Sequence, residues 1–480
     1  MAELKTPDLC IIGAGPAGIS AAIAARRLGA ETMLVEAAHM GGMRLTLGSL
    51  AARGLAVAAG RAEAMRRADV LAIRAVEPEV DFAPLQAALR ELGAARGRDW
   101  SVERLEGLGV ETVAGQAAFA DRHSLVIGDV SVRAHRFLVA TGSRPLLPEI
   151  PGLRETTRYT SETIFDLAVR PSHLIVIGAG PRALELAQAY RRLGAAVTVL
   201  DSGPALPGAD PELRDILLRA LEAEGIALVT GVPVTRIALG SDGTTIEVAT
   251  GGAEAPLRIL GSHLLVAAGR RPAVDALGLD RAGVRLRDGG ARGIAVSAGL
   301  RTTNLRIFAA GDVTGAEPSD QLAAYQGELA VRSALLGERA GRRLGIVPSA
   351  IFTDPGLAEI GVGEPEAAKR LAGRYRVHRV GFGQSDRAAI AHSGPGLAKL
   401  ITDISGRIIG GAIVGPEAGE LVAIVAFAMD RGLKVGDLAH FVPPYPAYAD
   451  LLRQLGAQAR EEETPPPVKR WLVEMRRHLP

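Results

Sequence analysis

Residues 8–37 read DLCIIGAGPAGISAAIAARRLGAETMLVEA, and this stretch decides the fold. The apolar run Leu9 to Ile12 leads into Gly13, Gly15 and Gly18, spaced as GxGxxG. An alanine-rich helical pattern follows, then a second apolar run ending at Glu36. Strand, glycine turn, helix and strand in that order make a βαβ unit. Each glycine has its own physical reason. Gly13 permits the tight turn, Gly15 lets the backbone approach a pyrophosphate, and Gly18 lets the helix pack on the strand. The helix N-terminus then holds negative charge. Glu36 stands where an acid accepts ribose hydroxyls.

The unit repeats. Residues 172–201 read SHLIVIGAGPRALELAQAYRRLGAAVTVLD, with Gly178, Gly180 and Ala183 as GxGxxA and Asp201 closing the second strand. Two such units imply two dinucleotides, one held and one exchanged. Asp201 would repel a 2′-phosphate, and Ser202, Gly203 and Pro204 offer no arginine to hold one, so NADH is favoured over NADPH.

At 480 residues the chain is long for a single core, and two to four domains are expected. Its formal net charge is only +2 with both signs interspersed, which argues against nucleic-acid binding. No signal peptide and no apolar run of roughly 18 residues is present. A cytoplasmic protein is therefore the expectation. The single cysteine, Cys10, lies in an apolar strand and excludes an internal disulfide or a multi-cysteine metal site; no metal is expected.

Three further stretches, HRFLVATGSRP (135–145), HLLVAAGRRP (263–272) and LRIFAAGDVTG (305–315), each read as a buried strand ending in a turn. They fit the first unit, with Asp312 placed to bond a ribityl hydroxyl. These boxes resemble those of the FAD-dependent pyridine nucleotide-disulfide oxidoreductases, the group of dihydrolipoamide dehydrogenase, mercuric reductase and glutathione reductase. The resemblance covers about residues 7–460. It implies an α/β chain of two Rossmann-like dinucleotide-binding domains and a C-terminal α+β dimerisation domain. The expected boundaries are 1–150 with 265–345 for FAD, 151–264 for NAD(H), 346–460 for the homodimer interface and 461–480 for a linker and tail. The residues it implies for FAD are Gly13, Gly15, Gly18, Glu36, Gly41, Gly42, Ala117, Thr141, Gly142, Gly269 and Asp312. Those for NAD(H) are Gly178, Gly180 and Asp201, with Arg53 and Glu185 beside the flavin.

Residues 41–53, GGMRLTLGSLAAR, depart from that family. The family pattern there is GGTCLNVGCIPSK. Arg44 takes the place of the first redox cysteine, Ser49 that of the second, and Arg53 that of the lysine. Neither Arg44 nor Ser49 has a two-electron couple, so disulfide and mercury chemistry are not expected here. The family's HPTxxE reads YPAYAD, with Tyr445 for the histidine and Asp450 for the glutamate. A Tyr near pKa 10 is a poor proton shuttle for a thiolate. Tyr445 and Tyr448 either line an acceptor pocket with Arg44 and Ser49 or fill the dimer interface. The aromatic gate of the second glycine motif is replaced by Pro181, followed by Arg182. Arg53 and Glu185 keep the family's ion pair, and a cation there favours hydride acceptance from NADH.

Arg61 to Arg98 has helical spacing and reads as an arm leading out of the FAD domain. After the acidic, proline-rich linker 461–467, Val468, Trp471, Leu472, Met475 and Leu479 form one apolar face of a tail helix. That face suits a membrane surface, a protein partner or the chain's own dimer. The expected activity is electron transfer from NADH through FAD to a small quinone-like acceptor. Reduction of a protein partner and non-catalytic FAD/NAD binding are the alternatives.

Overall fold

The computed structural model describes residues 3–42, 48–240, 245–251, 257–316, 318–338 and 346–462, with Trp471 and Met475. Arg44 and most of the tail lie outside the described residues. The chain divides into two compact units, a larger one of Met1–Pro207 with Glu222–Gly345 and a smaller one of Gly208–Leu221 with Ile346–Pro480.

The larger unit holds two five-stranded parallel sheets built to one plan. The first runs Ile307–Ala309, Arg136–Val139, Leu9–Ile12, Thr32–Glu36, Val110–Ala114. The second runs Tyr159–Thr160, His263–Val266, His173–Ile177, Ala196–Asp201, Ile226–Thr230. In each, the chain leaves the central strand through a glycine turn and a helix, Pro16–Arg27 or Pro181–Arg192, and steps outward over two strands. It then returns through a short antiparallel meander to the other side of the central strand. The strand order reverses beside each central strand, and a glycine turn opens at each of these switch points.

One sequence expectation is corrected here. The strand of HLLVAAGRRP belongs to the second sheet, since His263–Val266 pairs in parallel with Leu174–Ile177. A strand closing either switch point must be apolar on both faces, so the closing strands of the two sheets look alike in sequence. Beyond Gly269 the chain leaves that sheet, and Arg270–Pro272 pairs antiparallel with Ser143–Pro145.

Alternation divides the first sheet into two cores. Leu9, Ile11, Leu34 and Leu138 pack on one face, and Cys10, Ile12, Met33, Val35, Phe137 and Val139 on the other. Burial pushes the Cys10 thiol up, away from the reactive thiolate, so it serves packing. The helical arm expected over about residues 61–98 is interrupted. Helix Ser49–Arg66 ends, Ala72 turns with φ 59°, and helix Phe82–Gly97 starts afresh. Pro78 lies in the intervening stretch, and its missing N–H and restricted predecessor keep that stretch from being helical.

The smaller unit is an antiparallel sheet, Ser349–Ile351, Gly356–Gly361, Ile408–Gly415, Leu397–Asp403, Tyr375–Gly381. Helices Ala418–Asp430 and Asp450–Glu462 share its core through Leu421, Val425, Leu451 and Leu455. Lys399 is buried on this sheet, its side chain 1 % exposed. Its ammonium lies 2.8 Å from Asp210 Oδ1, 2.6 Å from Glu212 and 2.9 Å from Glu364. Arg379 bridges Glu212 and Glu364 at 3.0 and 2.7 Å. Burial works to raise the pKa of both glutamates, but Lys399 and Arg379 outweigh it and hold them below the usual carboxylate range. Their contribution to stability is therefore present above that range and is lost as pH falls through the depressed values. Lys399→Met should destabilise the protein by about 3 kcal/mol, the lower end for a broken buried pair because two of the acids are half-exposed. Thermal or denaturant unfolding measures this, and a loss of stability on acidification shared equally by both proteins would exclude the assignment.

Candidate active site

The two glycine turns have the same geometry. Gly13 takes φ +104° and Gly178 φ +110°, and a Cβ on either would strike the carbonyl of Ala140 or Ala267 on the neighbouring strand. A Cβ on Gly18 would strike the Gly13 carbonyl, so the helix closes on the turn only because it is absent. Gly15 and Gly180 differ from these. A Cβ on either meets nothing within 4 Å, so both backbones face open space. The acid at the end of the second strand pins each turn from below. Glu36 accepts from Ala14 N at 2.7 Å and from Ala38 N at 2.8 Å, and Asp201 accepts from Ala179 N and Gly203 N at the same two distances. Each carboxylate oxygen keeps a lone pair for a further donor.

Above the first turn lies a cavity of about 430 Å³, lined by Gly13, Gly15, Glu36, Gly42, Ala117, Thr141, Gly142 and Asp312 among others. Thus eight of the residues expected for FAD meet around one space. Gly41 sits just beneath, donating to the Ala14 carbonyl at 2.9 Å, and Gly269 lies in the ribbon to Ser143–Pro145. A cavity of this size, an acid with spare acceptor capacity and a backbone cradle open at Gly15 fit a dinucleotide such as FAD. Asp312 departs from the expected free acceptor. Ser143 Oγ donates to it at 2.6 Å, Arg270 Nε donates to Ser143 Oγ at 2.7 Å, and Arg270 also grips Glu162 at 2.7 Å.

Helix Ser49–Arg66 packs on helix Pro181–Arg192 and brings the altered residues together. Arg53 Nη2 lies 3.1 Å from Glu185 Oε1, so the expected ion pair is formed, with the glutamate side chain 5 % exposed. A second guanidinium shares that carboxylate, Arg182 Nη1 at 3.2 Å from Oε2. Arg182 Nη2 also reaches Ser49 Oγ at 3.5 Å, and Ser49 donates to Asp320 Oδ2 at 2.5 Å. Asp320, the first residue of helix Asp320–Leu336, lines the cavity as well. A continuous chain Asp320–Ser49–Arg182–Glu185–Arg53 thus runs through Ser49, the residue at the place of the second redox cysteine. Sequence reasoning missed Asp320, Ser143, Glu162 and Arg270, and gave Arg182 no role. Arg182 carried a signal: a cation in the first turn opposes the helix dipole unless an acid holds it.

In the smaller unit Tyr445 and Asp450, which stand at the places of the family's histidine and glutamate, have separate partners. Tyr445, 82 % exposed, donates to Asp386 at 3.1 Å. Asp450 is taken by Arg453 and Gln454 on its own helix, at 2.6 and 2.8 Å, and Arg453 holds its pKa low. A carboxylate already held by a cation one turn away does not orient the tyrosine. Tyr448 bonds Ser393 at 2.8 Å and packs beside Phe382.

Residues 7–332 match the pyridine nucleotide-disulphide oxidoreductase model, and residues 347–455 match the dimerisation domain of the same name. The chain belongs to the pyridine nucleotide-disulphide oxidoreductase family. It is 34 % identical to a dihydrolipoyl dehydrogenase of Thermus scotoductus over 94 % of this chain and 97 % of that one. It is 32 % identical to a mercuric reductase of Bacillus cereus over 93 % of this chain and 70 % of that one. LpdA from Mycobacterium tuberculosis has a similar fold, with a TM-score of 0.85, 26 % identity and coverage of 95 % and 99 %. The family is FAD-binding and uses NAD(P)H, and its dimerisation domain supports a homodimer. Phe427, Val442 and Tyr445 of the smaller unit are each exposed. No helix among the described residues is long and apolar enough to cross a membrane.

Gly15→Val tests the cradle apart from the packing. Its φ of −79° suits any residue and its Cβ meets no atom. The variant should keep its melting temperature within a few degrees yet purify without the yellow of bound flavin. Retained flavin would show that the backbone at Gly15 is not approached by the cofactor.

Proposed function

We propose that this chain is an NADH-dependent flavoprotein oxidoreductase that passes electrons from FAD to a diffusible non-disulfide acceptor of quinone type. The observation that carries the reading is the site beside Glu185. Ser49 and Arg182 stand there in a fixed polar chain, and the one cysteine, Cys10, is buried in the first sheet. A serine hydroxyl does not form the thiolate that disulfide exchange and mercury coordination need. The relatives named for those activities therefore lend this chain their first half-reaction and not their second. Bound FAD supplies a hydride acceptor and donor. Arg53 and Arg182 hold positive charge around Glu185 and keep that carboxylate from opposing negative charge on the reduced ring.

Asp201 supports NADH as the donor. Its carboxylate is fixed by two backbone amides, so a 2′-phosphate would be brought against a charge that has no freedom to turn away.

Anaerobic NADH titration of the yellow protein tests the proposal. Two electrons per FAD should complete the reduction with no long-wavelength thiolate charge-transfer band. Reoxidation by a soluble benzoquinone should then restore the oxidised spectrum, and NADPH should reduce at least about tenfold more slowly, a difference of ~1.4 kcal/mol. Four electrons per FAD would reveal a second redox centre and overturn the reading. Reoxidation only by a protein fraction would point to a protein acceptor, and no reduction by NADH to a binding protein without turnover.

A further inference from the structure

We infer that Arg270 and Glu162, which follow strands of the second sheet, are positioning residues for FAD. Through Ser143 they set the carboxylate of Asp312 in the cofactor cavity, so the hold on FAD depends on groups outside the sheet that carries its glycine turn. The inference concerns how the cofactor is kept and is independent of the acceptor it reduces.

The placement of the four residues carries the argument first. Asp312 follows strand Ile307–Ala309 and Ser143 follows Arg136–Val139, which are neighbours in the first sheet. Arg270 follows His263–Val266 and Glu162 follows Tyr159–Thr160, which are neighbours in the second. All four line the cavity above the first glycine turn. The chain Asp312–Ser143–Arg270–Glu162 therefore crosses from one sheet to the other along its length. A glycine of positive φ stands directly before three of its members, Gly142, Gly269 and Gly311, so the backbone turns sharply where each side chain leaves it. Glu162 is held in a turn of its own, with Thr160 N donating to Thr163 Oγ1 at 2.9 Å and Glu162 N to Thr160 Oγ1 at 3.3 Å.

The direction of the chain follows from which groups can donate. A guanidinium only donates. Arg270 Nε gives to Ser143 Oγ at 2.7 Å, and Nη2 gives to the Ser143 carbonyl and to Glu162 Oε1, each at 2.7 Å. With a donor already on Ser143 Oγ, the serine's single proton goes to Asp312 Oδ2, at 2.6 Å. The fork over Oγ and carbonyl of one residue fixes the serine rotamer together with its proton. Fixing Oδ2 in turn fixes which way the Asp312 carboxylate faces. Asp312 is buried, and the side chains of Arg270 and Glu162 are 15 % and 14 % exposed, so water competes little for these bonds. The charges of Arg270 and Glu162 cancel, so the pair orients Asp312 and adds no net charge to a cavity that must admit a pyrophosphate.

The test is the rate at which FAD leaves the loaded full-length protein after dilution, followed by the fluorescence of free flavin. Ser143→Ala should speed release by about tenfold, the factor for one hydrogen bond to a charged group. Arg270→Met combined with Glu162→Gln removes the ion pair without leaving a charge unmatched, and should speed release by a similar factor. All three changes together should be no faster than either set, because both act through one bond to Asp312. Ser143→Thr keeps the hydroxyl and should release FAD at close to the wild-type rate. The visible circular dichroism of the bound flavin should change in Ser143→Ala and in the pair variant, and return to wild type in Ser143→Thr. A packing defect, or a direct contact of Arg270 with the cofactor, would instead multiply across the cycle, and that result would overturn the inference. So would unchanged release from the pair variant. Arg270→Lys guards against a variant that does not fold. It keeps a charge for Glu162 but cannot fork over Ser143, so it too should release FAD faster, and wild-type retention would overturn the inference.

Discussion

The close approach of a glycine turn to the neighbouring parallel strand is the constraint on which the rest of this structure depends. Gly13 and Gly178 each lie against a carbonyl, of Ala140 and Ala267, that no side chain could tolerate. Because the turns are that tight, the following helices start directly over the strand ends and aim their free amides at one point. Glu36 and Asp201 then serve twice. Each fixes one amide of its glycine turn and one just beyond its own strand, and each keeps lone pairs for a further donor. A site formed in this way is set before any cofactor arrives, so binding need not order the loop.

On this frame the altered site is a chain of alternating charge. Glu185 is nearly buried and carries one arginine on each carboxylate oxygen, which makes the pair of cations more than a replacement for one lysine. With Arg53 alone, a carboxylate this buried would bring one cation and one anion out of water. Arg182 adds a second attraction that offsets the desolvation of the carboxylate, and it extends the chain to Ser49 and Asp320. A thiol in the position of Ser49 would be a weak donor and a weak acceptor. The hydroxyl is both, and it can accept from Arg182 while donating to Asp320. The substitution of oxygen for sulfur is therefore coherent with its neighbours.

Much of this was legible in the sequence, for definite reasons. The glycine spacings, the apolar strands and the terminal acids are local features, and local features set the two parallel sheets. The pair Arg53–Glu185 was legible only through resemblance, since 132 residues separate its members. His263–Val266 was misplaced because a strand buried on both faces has no alternation to say which sheet it closes. Asp320 was invisible for another reason. Following Ser319, whose side chain caps the helix, it reads as an ordinary acid in a first turn. The separate partners of Tyr445 and Asp450 were invisible too, because Arg453, one turn further along, takes the acid, and a motif does not register such competition.

The two serines show how the cavity is organised. Ser143 donates to Asp312 and accepts from Arg270, while Ser49 donates to Asp320 and accepts from Arg182. Both acids border the cavity, at the start and the end of one short connection from strand Ile307–Ala309 into helix Asp320–Leu336. Each is thus a carboxylate tied to a hydroxyl that a guanidinium holds in place. The Ser143 chain runs through Arg270 of the ribbon Ser143–Pro145/Arg270–Pro272 to Glu162, just beyond strand Tyr159–Thr160, and so fixes the position of Asp312. The Ser49 chain runs through Glu185 to Arg53, on the helix pair between the two glycine-turn halves, and is built from residues of three helices. A displacement of any one of the three helices would lengthen a bond to Ser49 or to Glu185. The same arrangement that replaces the cysteine also reports on how the two halves are packed.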